Sequence, residues 1–226
     1  MTSALPLLVF DLDGTLVDTA PDLVNALNTV FTREGFPALP YEEARLMIGG
    51  GLRPFIEKAL AAEDAARPDG TVERLFREMV DYYSEHIADA SRPFEGLADT
   101  LDHLAGDGFR FAVCTNKLEG LSVKLLKALN LAGRFDAICG ADTFGISKPN
   151  PDVLRQTIAA AGGAGPAIMI GDSMTDVATA RAAGLPVIGV SFGYTDIPMA
   201  EIGPDRLIHH FEHLPPAVHA LSAKWP

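Results

Sequence analysis

Two aspartates, Asp11 and Asp13, stand one residue apart where an apolar run ends, and Gly14 and Thr15 follow them. The run Leu5–Phe10 reads as a buried strand. The carboxylates therefore fall at a strand's carboxyl end, the edge at which open α/β sheets bind ligands. Two carboxylates held close repel each other, and one takes up a proton unless a cation neutralises them. Oxygen donors of this kind suit a hard divalent cation such as Mg²⁺. Taken alone, the stretch also reads as a strand end followed by a solvated Asp-Gly turn.

Further strand-like runs end in residues of useful types. Phe109–Cys114 runs into Thr115-Asn116-Lys117, and Lys148-Pro149 lies in the loop after Phe135–Cys139. Ala167–Ile170 runs into Gly171-Asp172-Ser173, with Asp176 close behind. Parallel strands present their carboxyl ends on one edge, so these loops can converge on Asp11. Each residue has an ordinary explanation when taken singly. Thr115, Asp172 and Ser173 suit helix N-caps, Asp176 suits a first helical turn, Asn116 suits a turn and Lys148 suits a solvated surface. Those explanations leave the set itself unexplained: acids, a hydroxyl and a lysine at the ends of consecutive strands.

The elements that must position this set alternate in a regular way. After Pro93, helical and strand-like segments follow each other with short links, ending in a short strand at Leu207-Ile208 and a helix over Pro216–Ala223. That order predicts a parallel, Rossmann-like α/β sheet with helices on both faces. Residues 18–90 differ. From Pro21, the residues Leu23, Val24, Leu27, Val30 and Phe31 share one helical face, with Thr19 as the expected N-cap. Further helices are expected over Tyr41–Ile48, Leu52–Ala62 and Val72–Ile87, with a triple glycine at Gly49-Gly50-Gly51, a polar link at 64–70 and no strand. The predicted organisation is a core formed by residues 1–17 and 91–226, and an all-helical insert, 18–90, placed after the first strand. Residues 16–20 and 88–93 are the expected linkers, the second stiffened by Pro93.

The chain has 226 residues and a formal net charge of −12. That balance disfavours nucleic acid as a partner, because a phosphate backbone needs a basic footprint. An anionic substrate would have to be attracted by local charges, and a bound metal can reverse the local sign. No apolar stretch reaches the length of a membrane span, and Met1 to Pro6 lacks the basic residues of a secretory signal. Cys114 and Cys139 lie in strand-like runs and are expected as buried free thiols in a reducing compartment. A cytoplasmic location follows as an expectation. Monomer and homodimer are both open.

With these motifs in view, the chain resembles the haloacid dehalogenase-like superfamily of phosphotransferases. The matching stretches are Asp11-Leu12-Asp13-Gly14-Thr15, Thr115-Asn116, Lys148-Pro149 and Gly171-Asp172-Ser173-Met174-Thr175-Asp176, in the family's order. The likeness covers roughly residues 5–17 and 90–215, and the helical insert resembles the family's small cap. Within the superfamily the chain is most similar to bacterial phosphoglycolate phosphatases. That finer likeness rests on Asp18-Thr19-Ala20-Pro21-Asp22-Leu23, on Ile48-Gly49-Gly50-Gly51 and on the segment from Gly189 to Tyr194.

The resemblance implies a Mg²⁺-dependent phosphatase acting on a small phosphorylated metabolite, most simply 2-phosphoglycolate. It implies Asp11 as nucleophile, forming an aspartyl-phosphate, and Asp13 as general acid and then base. Mg²⁺ would be held by Asp11, Asp172 and the Asp13 backbone carbonyl. Thr115, Asn116 and Lys148 would bind phosphoryl oxygens, and Ser173 and Asp176 would support them from behind. The cap would close over the site and set selectivity. Gly50 and the cations Arg45, Arg53 and Lys58 are its candidates for the substrate carboxylate, with Arg53 preferred. On the same core, a β-phosphoglucomutase-like phosphomutase, a pyrophosphatase and a nucleotidase are the alternatives. Thr15 leans toward a phosphatase, since the mutases compared usually carry an aliphatic residue there. A non-catalytic phosphometabolite-binding regulator is least favoured, because Asp11, Asp13 and Lys148 are all present.

Overall fold

In the computed structural model of the protein, which describes residues 5–62, 68–163, 165–223 and 225, strand β1 (Leu7–Phe10) lies in the middle of a six-stranded sheet. Its residues Leu8 and Phe10 pack into one apolar cluster and Leu7 and Val9 into another. This two-sided burial is why Leu5–Phe10 reads as a continuous apolar run rather than an alternating one. A short strand β2 (Val17–Asp18) follows, then helices α1 (Ala20–Arg33), α2 (Tyr41–Arg45), α3 (Leu52–Ala62) and α4 (Thr71–Glu85). Of the polar link expected at 64–70, residues 64–67 lie outside the described residues.

Strand β3 (Arg92–Pro93) pairs antiparallel with β2, Val17 opposite Pro93 and Asp18 opposite Arg92. No strand was expected between 18 and 90, and this ribbon sits at the two ends of the helical insert. With two residues per strand, it is too short to leave a periodic signal. The rest of the chain runs α5 (Leu97–Gly106), β4 (Arg110–Cys114), α6 (Glu119–Ala128), β5 (Ala137–Cys139), α7 (Pro151–Ala160), β6 (Ala167–Gly171), α8 (Met174–Ala183), β7 (Val187–Val190), α9 (Met199–Ile202), β8 (Arg206–Ile208) and α10 (Leu214–Ser222).

The sheet order is β5-β4-β1-β6-β7-β8, and each pairing within it is parallel. Leu101 and Leu104 of α5 and Val218 of α10 join the Leu8–Phe10 cluster, while Val153 of α7 and Val177 of α8 join the Leu7–Val9 cluster. Helices therefore cover both faces. Chain order reverses direction beside β1, and such a switch point opens a crevice at the carboxyl ends of the strands. Cys114 and Cys139 are buried free thiols on adjacent strands. Among the described residues, no helix is long and apolar enough to cross a membrane.

Candidate active site

Asp11 is the first residue past β1, and its N–H donates to the Ile170 carbonyl of β6 at 2.9 Å. Its Oδ1 accepts from the Leu12 N–H (2.7 Å) and pairs with Lys148 Nζ at 2.9 Å. No hydrogen bond to Oδ2 is formed by any described residue. Lys148 is buried and also donates to Asp176 Oδ1 at 2.6 Å. The other Asp176 oxygen accepts from the Ser173 N–H and hydroxyl, and Ser173 in turn accepts from the Asp176 N–H, closing a capping box at the start of α8. Asp176 thus has both oxygens engaged.

Asp172 is held just as firmly. Its Oδ1 accepts from the Thr15 hydroxyl (2.8 Å) and its Oδ2 from the Tyr194 N–H (3.0 Å). A Cβ on Gly193 would stand 2.2 Å from the Asp172 Cβ, so only glycine lets this loop pass beside the carboxylate. The Asn116 side chain is bonded in both directions to the Lys148 backbone, donating to its carbonyl (3.0 Å) and accepting from its N–H (2.9 Å). Thr115 is buried beside it. The sequence placed these residues at strand ends; the side-chain role of Asn116 in anchoring the Lys148 loop was not anticipated.

The electrostatics follow from burial. One oxygen from each of Asp11, Asp172 and Asp176 lies within 4.8 Å of the others. Burial, partly offset by Lys148 and reinforced by Asp176, pushes Asp11 up to about 6. Burial, with repulsion from Asp176 and Asp11, pushes Asp172 up to about 8. Burial alone would lower the Lys148 ammonium, but Asp11 and Asp176 reverse this and hold it above the ordinary lysine range. A cluster of oxygen donors that resists full ionisation suits a hard divalent cation.

Asp13 has a separate set of partners. Its Oδ1 accepts from the Thr19 hydroxyl at 2.8 Å. Thr19 does occupy the N-cap position of α1, but its side chain makes no cap bond, because that hydroxyl is spent on Asp13. The Asp13 carboxylate also pairs with Lys117 Nζ (3.0 and 3.2 Å), and Lys117 donates onward to the Tyr83 hydroxyl of α4 at 2.9 Å. Neither Lys117 nor Tyr83 was foreseen as a site residue. Lys117 directly follows the Thr115-Asn116 motif, a signal that was available. Tyr83 lies on the buried stripe of α4 and is indistinguishable in the sequence from any other core aromatic.

These groups open into a cavity of about 300 Å³ between the strand ends and the helical insert. Asp11, Asp13, Thr115, Asn116, Lys148, Asp172 and Ser173 line its floor, and Gly49, Gly50, Gly51 and Lys58 contribute from the insert. Gly51 has φ +97° and a Cβ there would stand 2.7 Å from the Asn116 carbonyl oxygen. The triple glycine thus brings the insert's backbone against the core loop. Arg53 does not take the position expected of it. Its guanidinium pairs with Glu73 at 2.6 Å and lies over the Phe76 ring, and it is absent from the cavity lining. Helical spacing turns Arg53 toward α4, where an acid and an aromatic face wait for it. Arg45 stacks over Tyr194, and Lys58, exposed, donates to the Met47 carbonyl.

Residues 8–190 match the family model for haloacid dehalogenase-like hydrolases. The chain belongs to the haloacid dehalogenase-like hydrolases. Among relatives of this hydrolase is a phosphoglycolate phosphatase of Caulobacter vibrioides, 44% identical over 220 residues that cover 97% of this chain and 93% of the relative. One from Agrobacterium fabrum is 43% identical, covering 94% of this chain and 92% of the relative. In structure, the hydrolase is similar to a predicted phosphoglycolate phosphatase from Haemophilus somnus 129PT. The TM-score is 0.87 and the identity 26%, over 96% of this chain and all of that one. The hydrolase thus resembles phosphoglycolate phosphatases along nearly its whole length, in sequence and in structure.

Proposed function

We propose that the enzyme hydrolyses 2-phosphoglycolate to glycolate and phosphate by way of an aspartyl-phosphate on Asp11. The observation that carries the chemistry is the state of Asp11: one oxygen is held by Leu12 and Lys148, and no described residue bonds the other, beside the cavity. A carboxylate oriented at one oxygen and free at the other is arranged as a nucleophile. Substrate choice is supported by the names of the relatives, phosphoglycolate phosphatases that align along nearly the whole chain.

In the first half-reaction, the free Asp11 oxygen attacks phosphorus and the ester oxygen leaves, taking a proton from the Asp13 carboxyl. In the second, Asp13 removes a proton from a water molecule. That water attacks phosphorus, and phosphate departs from Asp11. Lys148 and the backbone around Thr115 and Asn116 hold the phosphoryl oxygens, Lys148 as a point charge. Asp176 and Ser173 fix the position of Lys148 and of the loop that carries Asp172.

The residues present fit Mg²⁺. Half-buried Asp11 and buried Asp172 offer oxygens that repel each other, whereas both Asp176 oxygens are engaged by Lys148 and Ser173. Asp11, Asp172 and the Asp13 backbone carbonyl would hold the ion. Bound there, it would neutralise charge between the nucleophile and the phosphoryl group.

The test is phosphate release from 2-phosphoglycolate, hexose phosphates, nucleoside monophosphates and pyrophosphate, with Mg²⁺ and with chelator, for the wild type and for Asp11→Asn. A metal-dependent preference for 2-phosphoglycolate that Asp11→Asn abolishes while folded is the expected result. Preference for another ester would discard the substrate, and full activity of Asp11→Asn would discard the mechanism.

A further inference from the structure

We infer that Lys117 recognises the carboxylate of the substrate, with Tyr83 of the helical insert holding it in place. This rests on the 2-phosphoglycolate reading and adds to it the residue that selects for that ester.

The argument begins with the size of the substrate. In 2-phosphoglycolate, a single methylene separates the ester oxygen from the carboxylate. At standard bond lengths the carboxylate oxygens lie roughly 2.6–3.6 Å from the ester oxygen. The general acid must stand within about 2.6–3.2 Å of that same ester oxygen. A group that binds the carboxylate is therefore confined to within roughly 9 Å of the Asp13 carboxyl. A cation farther out on the insert suits a longer substrate.

Lys117 meets this condition. Its Nζ lies 3.0 and 3.2 Å from the two Asp13 oxygens. A charge-assisted N–H···O bond of about 2.7–2.9 Å from Nζ to the substrate carboxylate closes the quadrilateral of Asp13, ester oxygen, carboxylate and ammonium. The lysine side chain is 1% exposed yet lines the cavity. In such a water-poor position a charge interacts more strongly than at a surface.

Other cations are placed differently, and Arg45, which pairs with Glu42 at 3.6 Å, is absent from the cavity lining. Lys148 serves Asp11 and Asp176 on the phosphoryl side. Arg53 is paired with Glu73, and Lys58 is exposed, with its ammonium on the Met47 carbonyl.

Tyr83 adds direction. Its hydroxyl accepts from Lys117 at 2.9 Å, and the ammonium lies 4.4 Å from the centre of its ring. Lys117 comes from the loop after β4 and Tyr83 from α4, so recognition of the carboxylate draws on both the core and the insert.

The experiment compares kcat/KM for 2-phosphoglycolate with that for ethyl phosphate, an ester of similar size with no carboxylate, in the wild type, Lys117→Gln and Tyr83→Phe. Folding is checked by circular dichroism and melting. Lys117→Gln lowers both rates, because Asp13 loses its neighbour, so the ratio is the readout.

A lost charge-assisted bond corresponds to about a 10- to 100-fold fall in that ratio, carried mainly by KM for 2-phosphoglycolate. Tyr83→Phe, which removes only the hydroxyl, gives a smaller fall in the same direction and decides the matter if Lys117→Gln does not fold. An unchanged ratio in folded variants, against a high ratio in the wild type, overturns the assignment to Lys117. A wild-type ratio near one overturns the substrate reading, and the assignment with it.

Discussion

The backbone N–H of Tyr194 donates to Asp172 Oδ2 at 3.0 Å, so the residue following Gly193 fixes the orientation of the Asp172 carboxylate. The other end of the same residue reaches the root of the helical insert. The Tyr194 hydroxyl accepts from the N–H groups of Thr19 (2.6 Å) and Ala20 (3.0 Å) and donates to Asp18 Oδ1 at 2.5 Å. Those N–H groups begin α1 and have no partner within the helix. One side chain therefore caps the first helix of the insert while its own backbone holds Asp172.

Tyr194→Phe keeps the ring and the N–H bond to Asp172 but leaves the start of α1 uncapped in a buried setting. The expected loss of stability is about 1–3 kcal/mol, seen as a fall in melting temperature of roughly 3–10 °C. An unchanged melting temperature would show that water or a shifted helix end replaces the hydroxyl at no cost.

The acidic cluster gives the metal-free protein an unusual dependence on pH. Both Asp11 and Asp172 are raised in the folded state, to about 6 and about 8 from an ordinary 3.8, chiefly by burial. The folded state then binds more protons than the unfolded one above pH 4. The contribution of these two groups to stability is greatest at and below the ordinary aspartate value and is lost as pH rises through about 6 and then about 8. A Mg²⁺ ion held by these carboxylates would compete with those protons and so stabilise more where they would otherwise be forced to ionise unaided. In melting experiments with chelator and with Mg²⁺, the gain from the metal is expected to be larger at pH 8 than at pH 5. An equal gain at both would contradict the raised acids.

Gly51→Ala tests the approach of the insert to the core. The substitution places a Cβ 2.7 Å from the Asn116 carbonyl at a φ of +97°, where L residues are strained. Asn116 also anchors the Lys148 backbone, so the displacement reaches the phosphoryl side of the cavity. Phosphatase kcat/KM is expected to fall at least about tenfold, a barrier change of roughly 1.4 kcal/mol, with the far-ultraviolet dichroism unchanged. Wild-type kinetics in this variant would mean that the glycine loop yields freely.

Much of the fold was legible in the sequence because its periods are local. A strand buried on both faces is a short apolar run, as at β1, and an amphipathic helix repeats on one face, as Leu23, Leu27 and Val30 do in α1. Helix α3 begins directly after the triple glycine and Ser173 caps α8, as the sequence says they should. The ribbon of β2 and β3 was not legible, because its two-residue strands owe their existence to a partner more than seventy positions away.

The sequence by itself determined which chemistry the strand ends can carry. Asp11, Asp13, Thr115, Lys148 and Asp172 follow strands whose parallel order is set by the alternation of elements, and parallel order brings their ends to one edge. Only the tertiary structure decided which cation faces which anion. Lys117 meets Asp13 across 104 positions, and Arg53, expected at the substrate, is turned to Glu73 instead. The physical reason is that backbone periodicity encodes the face on which a side chain leaves its own element. The group it then meets depends on how elements distant in the chain pack, and on which partner lies within the short reach of a hydrogen bond.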